Sequence, residues 1–177
     1  VKVMTGIRRS GKSVMLELVK QELLEMGVRA EQFISINFED MRYLHLCTAQ
    51  ILHQEILTRA EGIAGKVYLF FDEIQEVKDW EKCVNSLRVA LDCDIYITGS
   101  NAKLLSGELA TYLGGRYVEF VIYPFSFAEF LELYRPTAPQ ATAGQCFQQY
   151  LLFGGMPYLS RLNYQEEPVR QYLSDLY

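Results

Sequence analysis

Gly6, Gly11, Lys12 and Ser13 fall in the octapeptide GIRRSGKS, at the spacing G-x-x-x-x-G-K-[ST]. An apolar run, VKVMT (1–5), precedes it, and a stretch with helical periodicity follows. These residue types suit a phosphate chain. Glycines adopt backbone angles closed to other residues and leave no side chain between main chain and ligand. Successive N–H groups can then form an anion nest, and the start of the helix adds its positive end. Lys12 supplies the cation for the β- and γ-phosphates, and Ser13 offers Mg²⁺ a hard hydroxyl oxygen. The candidate nucleotide-binding residues of the loop are Gly6, Arg9, Ser10, Gly11, Lys12 and Ser13. Arg8 and Arg9 fill variable positions, where a solvated basic rim fits as well as contact with a ligand or partner.

A second cluster is acidic. VYLFFDE runs from apolar residues into Asp72 and Glu73. In an open α/β sheet, ligands collect at the carboxyl ends of the strands. Asp72 is therefore the candidate metal ligand beside Ser13. Glu73 points elsewhere and is the candidate base for water. Such a pair favours hydrolysis over transfer to a substrate hydroxyl, which disfavours a small-molecule kinase. IYITGSN ends another apolar run in Thr98, Ser100 and Asn101. Inserted between the loop strand and the acidic strand, this tip would face the terminal phosphate. Ser100 is the first candidate sensor, with Asn101 and Thr98 behind it. N-capping of the next helix suits Ser100 or Asn101 equally well. Arg116, in LGGRYVEF, could serve its own subunit, reach a neighbour's site as an arginine finger, or be a surface residue of a turn. The N-K-x-D pattern that selects guanine is absent.

Strands and helices must position these groups. Candidate strands are 1–5, 33–38, 67–71, 95–98 and 117–123. Helices are expected from about Lys12 to Met26, stopped by Gly27, and from Thr48 to Arg59. A third carries Trp80, Val84, Leu87 and Leu91 with Asp79 as N-cap, and a fourth carries Leu104, Leu105, Leu109 and Tyr112. Alternation of this kind predicts a parallel α/β sheet. RPTAPQATAG (135–144) reads as a linker, followed by a helix with Phe147, Tyr150 and Leu151, the break GGMP (154–157) and further helices. The expected organisation is a core over 1–134, the linker, and a partial helical lid over 145–177.

Bulk composition narrows the partners. Half of the 177 residues are hydrophobic and 22% are charged, enough for one core plus a small appendage. A net charge of −5 argues against a broad basic surface for nucleic acid on this segment, leaving only the local cluster of Arg8, Arg9 and Lys12. Cys47, Cys83, Cys93 and Cys146 form no C-x-x-C pair, and His45 and His53 stand at no metal-ligand spacing from them. Reduced thiols and a cytoplasmic location are expected. No apolar run approaches the roughly 20 residues that span a bilayer, so no membrane partner is expected. No secretory leader is expected either. Val1 already belongs to a strand, which reads as the start of a trimmed piece of something longer.

Together the motifs resemble the AAA+ branch of P-loop ATPases. More narrowly, they are similar to a prokaryotic family of AAA-type ATP-binding proteins, through GIRRSGKS (6–13), DEIQ (72–75), TGS (98–100), GR (115–116) and PFSFAEF (124–130). GGMP resembles the G-x-P element that opens the lid of related signal-transducing ATPases, whose proline lies near the nucleotide base; this implies a binding role for Pro157. The resemblance implies ATP and Mg²⁺, and a three-layer P-loop sandwich. Its five-stranded parallel sheet would be ordered 5-1-4-3-2, with the start of a helical lid. It also implies a base at Glu73 and a finger at Arg116, and with the finger a homo-oligomer. Family members often continue into a winged-helix or nuclease-like C-terminal region, through which a DNA or protein partner would be engaged. Arg161 and Arg170 are second-sensor candidates by residue type alone. The expected activity is Mg-dependent ATP hydrolysis coupled to conformational change. The alternative is a nucleotide-loaded switch or scaffold that turns over little and acts by binding a partner.

Overall fold

VYLFFD, apolar for five residues, can be stable as a strand only if both of its faces are covered. The computed structural model describes residues 1–99 and 113–176, and places this strand inside a five-stranded sheet. The strands are β1 (Lys2–Thr5), β2 (Phe33–Asn37), β3 (Val67–Asp72), β4 (Cys93–Thr98) and β5 (Val118–Val121). Their order is β2-β3-β4-β1-β5, with every pairing parallel, which is the expected 5-1-4-3-2 order seen from the other edge. The register sets Asn37 opposite Asp72, Phe71 opposite Ile97 and Met4 opposite Thr98. The ends of four strands thus finish along one edge.

Helix α1 (Lys12–Glu25) covers one face of the sheet: Leu16 packs with Met4 and Phe70, flanked by Val19, Leu23 and Tyr96. Phe70 and Tyr96 stack with ring centres 4.9 Å apart. Helices α2 (Ala49–Ala60) and α3 (Trp80–Ala90) cover the other face, where Leu52, Ile56, Val84 and Leu87 pack on Ile36, Leu69, Phe71 and Ile97. The result is the three-layer arrangement, with α1 stopped as expected. Gly27 takes φ 91°, its N–H donates to Leu24 O, and the Val28 N–H donates to Leu23 O, the paired bonds of a Schellman end.

One expectation changes. Asp79 stands at the N-cap of α3 but makes no side-chain cap bond. Its carboxylate accepts from Lys82 Nζ at 2.6 Å, and its φ of 58° is left-handed. The fourth expected helix (Leu104, Leu105, Leu109, Tyr112), together with Ser100 and Asn101, lies outside the described residues.

By its contacts the chain divides into two compact units: Val1–Ile7 with Lys12–Ile122, and Arg8–Gly11 with Tyr123–Tyr177. In the second unit, α4 (Phe127–Tyr134), α5 (Ala143–Phe153) and α6 (Glu166–Ser174) surround an aromatic cluster of Phe130, Phe153, Tyr164 and Tyr172. Ser126 with Glu129, and Thr142 with Gln145, form capping boxes that start α4 and α5. The GGMP break has a steric reason. Gly155 O accepts from Phe125 N–H at 2.7 Å, and a Cβ on Gly155 would stand 2.0 Å from Phe125 O. Among the described residues, no helix is long and apolar enough to cross a membrane.

Candidate nucleotide site

The site is built at the carboxyl edge of the sheet. Asp72 ends β3, is 7% exposed, and is gripped from both neighbouring strands. Asn37 Nδ2, at the end of β2, donates to Asp72 Oδ2 at 3.2 Å. Thr98 Oγ1, at the end of β4, donates to Asp72 Oδ1. The same Thr98 oxygen accepts from the Glu73 N–H at 3.0 Å. One fully buried hydroxyl therefore holds the carboxylate of one acidic residue and the backbone of the next.

Glu73 leaves the strand in the left-handed region, φ 55° and ψ 48°, and the chain turns at once into a short 3₁₀ segment, Ile74–Glu76. A bulky residue seldom adopts this conformation unless its surroundings enforce it. Thr98 fixes its N–H, and Gln75 Nε2 donates to Glu73 Oε2.

Lys12 is 5% exposed, and its ammonium donates to Gly6 O at 3.3 Å and Ile7 O at 3.2 Å. A buried cation needs such partners. Ser13 follows it and lines, with Asn37 and Asp72, a cavity of about 250 Å³ between α1 and the strand ends. Lys20 borders the same cavity and donates to Ser35 Oγ at 2.7 Å and Glu17 Oε1 at 2.6 Å.

Gly6 takes φ 150°, Arg9 φ 65° and Gly11 φ 104°, a winding backbone that glycine makes accessible at two of the three positions. Within the second unit, the Arg9 guanidinium lies 5.2 Å from the centre of the Tyr172 ring. Pro157 Cγ stands 3.9 Å from where a Cβ of Gly11 would be. The Ser10 hydroxyl is buried with no hydrogen-bond partner among the described residues.

The residues present fit a magnesium–nucleotide. Within the first unit, the buried Lys12 ammonium precedes Ser13, whose side chain lines one cavity with the Asp72 carboxylate.

Arg116 is placed elsewhere. Its carbonyl accepts from the backbone nitrogen of Val1 at 3.2 Å, and its Nη1 donates to Asn85 Oδ1 of α3 at 3.2 Å. It therefore sits at the amino edge of the sheet, with the four residues of β1, about 13 Å at the strand rise, between it and the start of the phosphate loop. Residue type alone does not single out Asn37 or Gln75, and it favours Ser100 over Thr98. For Asn37 and Thr98 the available signal was a polar residue closing an apolar strand. For Gln75 it was an amide two places after the acidic pair.

A glycine-lysine-serine loop after β1, a pinned aspartate ending β3, and the 5-1-4-3-2 parallel order define a P-loop nucleoside triphosphatase fold. The family model described as "AAA domain" matches residues 1–131, and the chain belongs to this family of AAA-type ATPases. An uncharacterized protein of Haemophilus influenzae is 45% identical over 157 residues, covering 89% of this chain and 39% of that protein. An uncharacterized protein of Methanocaldococcus jannaschii is 34% identical over 187 aligned residues, covering 100% of this chain and 41% of that protein. The chain thus spans about two fifths of the length of these curated relatives.

Proposed function

We propose that this chain binds ATP with Mg²⁺ and hydrolyses it. The observation that carries the reading is the Asp72 carboxylate, held by Asn37 and Thr98 in the cavity that Ser13 lines. Ser13 and Asp72 would hold the Mg²⁺, which when bound neutralises charge on the phosphate oxygens. Lys12 exchanges its loop carbonyls for β- and γ-phosphate oxygens. Backbone N–H groups around Ser10 and Gly11 hold the phosphate chain, and the Ser10 hydroxyl gains a partner there. Pro157 lies beside Gly11, where it can help to place the nucleotide. Glu73 accepts the proton of the attacking water at its carboxylate; the water oxygen bonds to the γ-phosphorus as the bond between that phosphorus and the bridging oxygen breaks, leaving ADP and phosphate. Ser100 keeps its assignment as sensor of the γ-phosphate.

Arg9 rests on Tyr172, so a phosphate that draws on Arg9 competes with that ring and links turnover to a change of conformation. Arg116 stands at the edge away from its own loop, which suits a finger that completes a neighbour's site in a homo-oligomer. A DNA or protein partner is assigned to the part of the relatives' length beyond the matched segment.

The test is a pair of variants. Glu73→Gln retains ATP binding and loses turnover, whereas Lys12→Ala weakens binding itself. Wild-type hydrolysis by Glu73→Gln would exclude Glu73 as the base.

A further inference from the structure

We propose that Gln75 is the positioning residue of Glu73, setting the direction from which the carboxylate meets water. The inference rests on the reading of Glu73 as the base. Glu73 is fixed at three points. Its backbone is left-handed, its N–H is bonded to Thr98 Oγ1 at 3.0 Å, and its Oε2 accepts from Gln75 Nε2. The first two fix only the main chain. The side-chain torsions of Glu73 are restrained, among the bonds described, by Gln75 alone.

Gln75 is well placed to do this. It lies two residues on in a tight 3₁₀ turn, where Glu76 N–H donates to Glu73 O at 3.1 Å and Val77 N–H donates to Ile74 O at 3.0 Å. Ile74 is fully buried and anchors the turn in the core. The amide of Gln75 and the carboxylate of Glu73 therefore leave one rigid loop. Gln75 also bears a cost: its Oε1 is buried with no hydrogen-bond partner among the described residues. A side chain that only filled space would serve better without that carbonyl. A free glutamate samples many rotamers, of which few reach an in-line water. A donor clamped to one oxygen holds the other in a defined direction.

The test is a double-mutant cycle in the full chain, read by steady-state ATP hydrolysis, single-turnover hydrolysis of labelled ATP, fluorescent-ATP binding and melting temperature. Gln75→Met keeps the length and removes the donor. Its kcat is expected to fall about 10- to 100-fold, with KM and nucleotide affinity within about twofold of wild type. In the Glu73→Gln background the same change should cost less than about twofold in the single-turnover rate, because its effect passes through Glu73. Gln75→Glu keeps the shape, removes the donor and serves if Gln75→Met does not fold; a similar or larger loss of kcat is expected.

A full-strength loss in the Glu73→Gln background would overturn the proposal, as would a rise in KM at unchanged kcat. Wild-type kcat in Gln75→Met or Gln75→Glu, with Glu73→Gln inactive, would overturn the role of Gln75 and leave the base in place. Undiminished turnover in Glu73→Gln would overturn the reading of Glu73 and this inference with it.

Discussion

The two edges of the sheet treat polar side chains differently. At the carboxyl edge, Asn37, Asp72 and Thr98 close onto one another from three adjacent strands, with Asp72 and Thr98 buried. At the amino edge three polar side-chain contacts lie closer to solvent. Lys2 meets Asp94 at 2.7 Å with both side chains about a third exposed (31% and 33%), Lys66 approaches Asp92 at 3.8 Å, and Arg116 reaches Asn85. Water can replace the partners in these three contacts. At the carboxyl edge each lost group strands another in the interior. One edge is therefore a network with shared consequences, and the other a set of separate contacts.

Asp72→Ala should break the contrast most severely. It removes the proposed metal carboxylate and leaves Thr98 and Asn37 without their acceptor. Turnover should drop by about a thousandfold or more in a coupled ATPase assay. Thr98→Val keeps the volume but deletes both hydroxyl bonds. It should cost about 1–3 kcal/mol of stability in denaturant unfolding, and turnover should fall with it. Thr98→Ser should restore most of both. If Val is tolerated like Ser, the edge is not a network.

Arg116→Ala sharpens the other side of the comparison. Alone it should leave the melting temperature nearly unchanged and lower turnover. Mixed with Lys12→Ala, it should recover part of the activity if it completes a neighbouring subunit's site. Equal inactivity of the mixture and its components would keep Arg116 within its own subunit or out of the reaction. The smallest effect is expected for Lys2→Ala. A partly exposed ion pair contributes about 0–1 kcal/mol, less in high salt, and activity should not change.

Much of this architecture was legible because it rests on composition. VYLFF reads as a doubly covered strand from its apolar run, and GIRRSGKS carries its backbone requirements in its glycines. Asp72 was legible too, as an acid closing a buried strand. Asn37 and Thr98 were harder to read, because their roles depend on register. Asn37 matters since it falls opposite Asp72, and Thr98 since β4 lies between β3 and β1. No local pattern encodes those distances. Asp79 shows the reverse case, a residue of capping type whose carboxylate is drawn to Lys82 instead. Gly155 shows another: its neighbours suggest a break, but only the approach of Phe125 explains why no side chain fits there.

The hydroxyl of Thr98 also sets when the site comes into being. It joins Glu73 and Asp72 across 25 and 26 residues of chain, with α3 in between. A nascent chain that has emitted β3 alone has no means of holding Glu73 in its left-handed turn. The acidic pair acquires its geometry only once β4 has docked beside β3, the sheet pairing that closes the shortest stretch of chain. Until then the chain carries both acidic residues without the hydroxyl that pins them.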